Sequence, residues 1–526
     1  MKILKPILYA SRTESVQKEK TLPVSKTNFL SKMKIQSFSL RVIAFLVFAV
    51  FVATEVRAQS YGQLLTVNDI GDSTDAVPGD GLCLDAGGKC TIRAAIQEAN
   101  SAPNQDAIIF NLPGIAVIDL SLGELAINSN LYIIGPGARR LFIQRSHIAD
   151  ADFRVFHIGQ NAGTGINLRG FSISNGRAAL GGGLYIESGN TVNLTDLAIN
   201  GHSAGAGGAI ANAGTLNMTR SSVSGNAALT TLGNQSSLGG GLINLDANSK
   251  ATISDSTITM NSSVSGGGIF NNGTLLLIND TLTGNSATNR GASTSNEPGA
   301  VTHVLNTIIG RDLNASSLAG AFVSLGNNII TDARNATGFT NGVSGDQVSS
   351  DNSINPLLGD FNYNGGQTLN LPLLAGSVAI NQGNSCVVTA TCPAPVPNNF
   401  VLRYDQRKNY SRQAGGGVDV GAFEYNAGVL TSNASFGIIG VARTRLFGSL
   451  GILTRATTSE KQYRIATSFG SFAFQNIIDR DPYILEIKSK RAGLSSLLVL
   501  DFDNLGIPFP LRSNRLFGDI EFTEQP

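Results

Sequence analysis

Residues 207–219 read Gly-Gly-Ala-Ile-Ala-Asn-Ala-Gly-Thr-Leu-Asn-Met-Thr, and this stretch decides the fold. A glycine pair leads through a short apolar step to a Gly-Thr or Asn-Thr turn, then into a strand that alternates polar and apolar residues. The same pattern starts at Gly182-Gly183-Leu184, Gly240-Gly241-Leu242 and Gly267-Gly268-Ile269, so successive copies begin 25, 33 and 27 residues apart. Each copy ends alike, in LTDLAIN (194–200), MTRSSVS (218–224), ISDSTIT (253–259) and INDTLTG (278–284). A repeat of this size cannot bury its apolar face alone and must stack on its neighbours, which makes a solenoid. A solenoid presents long side faces for binding, and nothing obliges it to be an enzyme.

Composition supports this reading. Sixty glycines, 14% charged residues and no tryptophan describe a turn-rich β protein, and 42% apolar content is too high for a disordered chain. The formal net charge is +1 with no basic stripe, so nucleic acid is a poor partner. Residues 42–53 are apolar, follow Lys34 and Arg41, and precede Val56-Arg57-Ala58. This is the charged start, short apolar centre and small-residue exit of a secretory signal. The stretch is too short to span a bilayer comfortably. Cleavage is expected between Ala58 and Gln59, with residues 1–58 a leader and Met33 an alternative start. No second apolar span lies near the C-terminus. The mature chain is therefore expected to be exported, to the cell surface or the medium, without a membrane helix.

Cys83 with Cys90, and Cys386 with Cys392, form two close pairs that suggest disulfides in an exported chain. Each would close a small loop and contribute about 2–3 kcal/mol. A four-cysteine zinc site is the rival, opposed by the long gap between the pairs and the lack of nearby histidines. Asp69, Asp72, Asp75, Asp80 and Asp85 invite a calcium reading. Their spacing does not fit an EF-hand, and a solvated acidic loop is the simpler account, so no metal or other cofactor is expected.

Residues 91–100 (TIRAAIQEAN) predict the one clear helix of the mature chain. Thr91 can cap it, and Ile92, Ala95, Ile96 and Ala99 form one apolar stripe suited to covering the open end of a first coil. From residue 107 onward the text consists of short alternating strands. Leu197 and Ile199, Val223, Ile258 and Leu282 should stack inside as ladders. Asn200, Asn226, Asn261 and Asn285 should occupy turns and stack their amides. A propeller would need longer blades, and a sandwich would not keep one text at one period. The fold expected is all-β: a right-handed parallel β-helix over 107–354 with a short N-terminal helical cap over 59–106 and a small C-terminal β-sandwich.

Four stretches resemble known families. Cys90-Thr91-Ile92-Arg93-Ala94-Ala95-Ile96, followed by Ala99-Asn100, resembles the CSLREA motif that opens many exported bacterial β-helix proteins, with Ala94 in place of the usual acid. The glycine-pair repeats resemble those of polymorphic outer-membrane-type and other right-handed β-helix proteins. Residues 355–425 look like a choice-of-anchor Q segment, through Asn355-Pro356-Leu357-Leu358-Gly359, Asn364-Gly365-Gly366, Asp405-Gln406-Arg407 and Val418-Asp419-Val420-Gly421-Ala422-Phe423-Glu424. Val378 departs from that pattern's Pro, and Asn381 from its Asp. The resemblance implies a segment that closes the C-terminal end of the helix and brings no chemistry. ATSFGSFAFQNI and YILEIKSKR, within 426–526, resemble a carboxypeptidase-regulatory-like β-sandwich, degenerate over 437–457, which implies a spacer module.

Parallel β-helices include pectate lyases and polygalacturonases, whose chemistry needs clustered carboxylates or calcium-holding acids beside a basic residue. Asp196, Arg220, Asp255 and Asp280 stand at matching places in the repeat text and should form a surface column. Ordinary turn residues explain that column better than catalysis does. His202 is a candidate acid or base, with a solvated loop histidine as the simpler account. His147, His157 and His303 fall in separate coils without metal-ligand spacing. The leading expectation is a non-enzymatic exported protein that meets an extracellular glycan, matrix or surface protein through its coil faces. The alternatives are a divergent lyase or hydrolase of polyuronides using the Asp196–Asp280 column, and a purely structural envelope protein.

Overall fold

Thr191–Thr195 pairs in parallel with Thr215–Thr219, which pairs with Lys250–Ser254, which pairs in turn with Thr274–Ile278. These strands belong to sheet I. After each one the chain turns into sheet II (Ala198–Asn200, Ser222–Ser224, Thr257–Thr259), then sheet III (Ser203–Ala206, Ala227–Ala228, Ser262–Ser265) and sheet IV (Ile210–Asn212, Leu242–Asn244, Ile269–Asn271). It then re-enters sheet I one rung further on. The four parallel sheets hold ten, ten, five and nine strands, which is the right-handed parallel β-helix that the repeats predict. The computed structural model describes residues 62–425, apart from positions 102, 103, 161, 234, 409 and 413–415. It also gives the backbone of Gln59–Ser60 and of seven strands between Ile438 and Glu524. The leader and the Ala58–Gln59 cleavage lie outside the described residues or at their margin.

Alternation drives the core. Leu194, Met218, Ile253, Leu277 and Val304 point inward on sheet I and are essentially unexposed. On sheet II the inward ladder is Ile173, Ile199, Val223, Ile258, Leu282 and Ile309, as the repeat text suggested. Burying each such side chain contributes about 1.5–3 kcal/mol. The glycine pairs mark the corner from sheet III to sheet IV. Gly266 has φ +67°, and a Cβ on Gly267 would sit 2.3 Å from the carbonyl oxygen of Ser286, so neither position accepts a side chain. The second copy is shifted by one residue from its text, because Leu184 lies under Ile210 and Ile210 under Leu242. Three glycines precede Leu184 and Leu242, and in the second copy Ala209 takes the place of the third.

Polar side chains line two corners. Asn226, Asn261 and Asn285 form an amide ladder, each Nδ2 donating to the next Oδ1 at 2.9–3.0 Å. Asn200 is not a rung, since it ends a sheet II strand, and His202 stands in the ladder instead, its backbone N–H donating to Asn226 Oδ1. A second ladder runs through Asn212, Asn244, Asn271 and Asn296. Each rung satisfies buried groups whose isolation would cost roughly 1–3 kcal/mol.

Helix α1 (Ile92–Ser101) packs the predicted stripe of Ile92, Ala95, Ile96 and Ala99 into the core beside Ile108 and Ile127. Thr91 Oγ1 accepts the N–H of Ala94, the predicted cap. Cys83–Cys90 and Cys386–Cys392 are disulfides, with Cα atoms 5.1 and 4.7 Å apart. The five aspartates act largely as turn acceptors, Asp69 for Gly71, Asp75 for Val77, Asp80 for Leu82 and Asp85 for Gly87. Asp72 holds Arg93.

Residues 355–425 run along the side of the stack instead of across its end. Tyr363 lies under the Arg139 guanidinium at 4.5 Å, and Val378 accepts from Gln347 Nε2, so the segment spans coils far apart in sequence. Short helix α2 (Cys386–Thr389) seats Cys386 and Val387 against Leu276, Ile278 and Leu305 on the outside of sheet I. Leu373, Ala379, Val420 and Phe423 cover Ile308 and Ile329 on the outside of sheet II. Small outward residues on sheet II, such as Ala198, Ser222, Thr257 and Thr281, leave room for this cover and are buried by it. Beyond residue 425, Gln462–Thr467, Gly470–Gln475, Tyr483–Ser489 and Ser495–Leu500 pair antiparallel in succession.

Candidate functional site

The acid column of the repeats is a joint buried beneath 355–425. Asp196, Arg220 and Asp255 share a corner position with Asn279 and Asn306, all five with φ between +48° and +54°. One left-handed residue is needed there between sheets I and II, which Asp and Asn supply most readily. Asp280 falls one residue later, on the rung of Ser221 and Ser256, so it is not part of that column.

Every member is at least nine-tenths buried, contrary to a surface column. Asp196 takes Arg220 Nε at 2.9 Å and Arg169 at 3.4 Å. Burial would raise its carboxyl, but Arg220, Lys408 and Arg169 hold it well below the carboxylate range. Arg412 donates to Asp255 at 2.5 Å and reaches Glu424 at 3.4 Å. Burial pushes Asp255 up to about 6 and Glu424 to about 9 against that guanidinium. Asp280 accepts the N–H groups of Ser256 and Ile278, and burial raises it well above its ordinary value. Gln406 and Thr368 close the joint by bonding the backbone oxygens of Ser221 and Arg220. These carboxylates are withdrawn from solvent.

His202 is buried, and no solvated loop histidine. Its Nδ1 accepts from Gly176 N–H, and Nε2 donates to the Ile173 carbonyl, both at 3.0 Å. Burial lowers it to about 4, so the ring is neutral and structural. His147 meets Asn175, and His303 lies outward on sheet I with its ring lowered by burial.

The chemistry open to solvent sits elsewhere, on the outer face of sheet IV. Leu125–Ile127, Phe156–Ile158 and Leu184–Ile186 are neighbouring strands whose central residues Ala126, His157 and Tyr185 form one outward row. His157 Nδ1 meets Glu124 Oε1 at 2.8 Å, and Nε2 meets Glu187 Oε1 at 2.9 Å. Arg154 Nε lies 2.9 Å from the other Glu124 oxygen. The His157 and Tyr185 rings stack with centroids 5.4 Å apart, and the Arg154 guanidinium lies 5.0 Å from the Tyr185 centroid. Arg93 in α1 fixes the turn by donating to the backbone oxygens of Gly123 and Glu124.

An imidazole facing two carboxylates has donors for both only when it carries two protons. The Glu124 hydrogen bond accordingly raises His157 above its ordinary value, against desolvation. Burial pushes Glu124 up, but His157 and Arg154 outweigh it and hold that carboxyl low. The cluster can exchange a proton, bond hydroxyls through its exposed edges and offer an aromatic surface. Among the described residues no group of three or more His, Cys, Asp or Glu is arranged to hold a metal. In the sequence His157 stands apart from the other histidines and from any metal-ligand spacing. Aligning Phe156-His157-Ile158 with Leu184-Tyr185-Ile186 as successive rungs would have placed the two rings together.

No protein-family model and no curated protein matches the chain. Among solved structures it is similar to one described as pectate lyase Pel9A, at 14% identity, covering 70% of this chain and 97% of that one, with a TM-score of 0.42. It is also similar to ORF18 of Geobacillus virus E2, at 10% identity over 84% and 77% of the two chains, with a TM-score of 0.35.

Proposed function

We propose that this is an exported, non-enzymatic β-helix protein that contacts glycan or matrix through its coil faces, at the cell surface or after release. The observation that carries the reading is the placement of the ionic groups. The carboxylates that could have formed a catalytic column are shut beneath 355–425, while Glu124, Arg154, His157, Tyr185 and Glu187 stay partly open on sheet IV. Such a mixture of charged edges and an aromatic ring suits hydroxyl-rich ligands. Binding of the exported protein to a glycan array and to extracellular matrix, beside a Tyr185→Ala/His157→Ala double variant, tests it. Binding lost in the variant is expected. No binding by either protein would leave a structural envelope role.

The second reading, a polyuronide lyase or hydrolase, draws on one feature: His157 lies within hydrogen-bond reach of two carboxylates, a geometry able to pass protons. The imidazole fills the gap between those carboxylates, where a hydrolase needs space for sugar and water. Cleavage of pectin or alginate that disappears in His157→Ala would favour this reading over binding.

A further inference from the structure

Asp312 continues the amide ladder of Asn226, Asn261 and Asn285. Its Oδ1 accepts the Asn285 N–H at 2.9 Å, just as Asn285 Oδ1 accepts that of Asn261 at 3.1 Å, and Leu313 N–H returns to the Asn285 carbonyl. The asparagine rungs use their second side-chain atom as a donor to a carbonyl one coil back: Asn226 to Ile199, Asn261 to Val223 and Asn285 to Ile258. Continuing the series, the carbonyl that corresponds to Asp312 is that of Leu282, the next residue on the inward ladder of sheet II. An ionised carboxylate has no proton to place there. Oδ2 is buried and makes no well-formed hydrogen bond.

We propose that Asp312 is held as the neutral acid, its proton standing in for the missing amide donor, and that its ionisation opens the last rung of the ladder. Three donors around it, the Ser293 hydroxyl, the Asn285 N–H and the Ser317 hydroxyl, favour the charged form, and burial outweighs them. Asn285 and the hydroxyls of Ser293 and Ser317 face it, and the charge acting on it is the like-signed Asp332, itself paired with Arg334. Earlier rungs have glycine, Gly241 and Gly268, where Ser293 stands, packed against Asn261 and Asn285. The hydroxyls of Ser293 and Ser317 thus replace bare backbone beside the one rung that can lose a proton. Burial, the largest influence, lifts this carboxyl to about 7. The rung is therefore sensitive to pH across the neutral range, and one further coil, through Val323–Gly326, Ile329–Ile330 and Asn335–Thr337, stacks beyond its own.

The sign is fixed by linkage. An acid raised in the folded state stabilises below its ordinary value near 4, and that stabilisation is lost as pH rises toward 7. In thermal melts of the full chain, Asp312→Asn and the wild type should unfold together near pH 4. The variant should gain from pH 4 to 7, and the gap should stay level above. Amide exchange read by mass spectrometry gives a second measure. Corrected for intrinsic rate, exchange at Asn285 should match at pH 4 and be slower in the variant at pH 8.5 by about tenfold or more, tenfold being one pKa unit's worth. Parallel melting profiles, or an Asn285 amide equally protected at both pH values in the wild type, would overturn the proposal.

Discussion

Along the corner between sheets I and II, Asp255 and Glu424 meet Arg412 with side chains no more than 1% exposed. On the outer face of sheet IV, Glu124 and Glu187 meet His157 with 32% and 29% of their side chains exposed. Both clusters join carboxylates from different coils or segments through one cation. Where water is excluded, the acids cannot all ionise, and the cluster becomes a fixed joint whose partners are indispensable. Where water remains, the same pairing is weak, exchanges protons and stays open to a ligand. Burial, more than residue type, separates the closed cluster from the open one.

The largest effect should come from breaking the buried side. Arg412→Met leaves Asp255 and Glu424 without their cation and should cost about 3–5 kcal/mol in urea unfolding, with 355–425 released to protease before the coils. An unchanged midpoint would mean that the joint contributes nothing. Next comes pH. Asp255 at about 6 and Glu424 at about 9 bind protons in the fold that the unfolded chain has already lost. Stability should therefore fall as pH rises from about 4 to 9, with the alkaline part of the fall absent in Glu424→Gln. Asp196, held low, acts oppositely and weakens the fold only in strong acid. The smallest effect belongs to the open side. His157→Ala should shift stability by about 1 kcal/mol or less, and added salt should erase the difference. A shift as large as that of Arg412→Met would erase the contrast between the two faces.

The coil stack was legible because its core repeats chemically: Ile199, Val223, Ile258 and Leu282 recur at one place in one text. The site was less so, for geometric reasons. Asp255 and Asp280 both follow an Ile-x step, yet Ile253 points inward while Ile278 points outward beneath α2, so the match is out by one residue. That the column is covered depends on contacts such as Arg412 with Asp255, 157 residues apart, which no local pattern encodes. One trace did exist. Ser222, Thr257 and Thr281 are small and outward in successive coils, as a surface under a second layer should be.

The lateral course of 355–425 also changes how the solenoid can come apart. Coils that touch only their neighbours unzip from an end, one at a time. Here Tyr363 is set on the coil of Arg139, Gln406 on Ser221 and Thr257, Ala422 on Thr281, and Val378 on Gln347. Fraying that reaches the coil of Arg139 from one side, or that of Gln347 from the other, must first peel this clasp from coils that are still folded. The array should melt as one cooperative block between residues 139 and 347, more like a globular domain than a string of repeats.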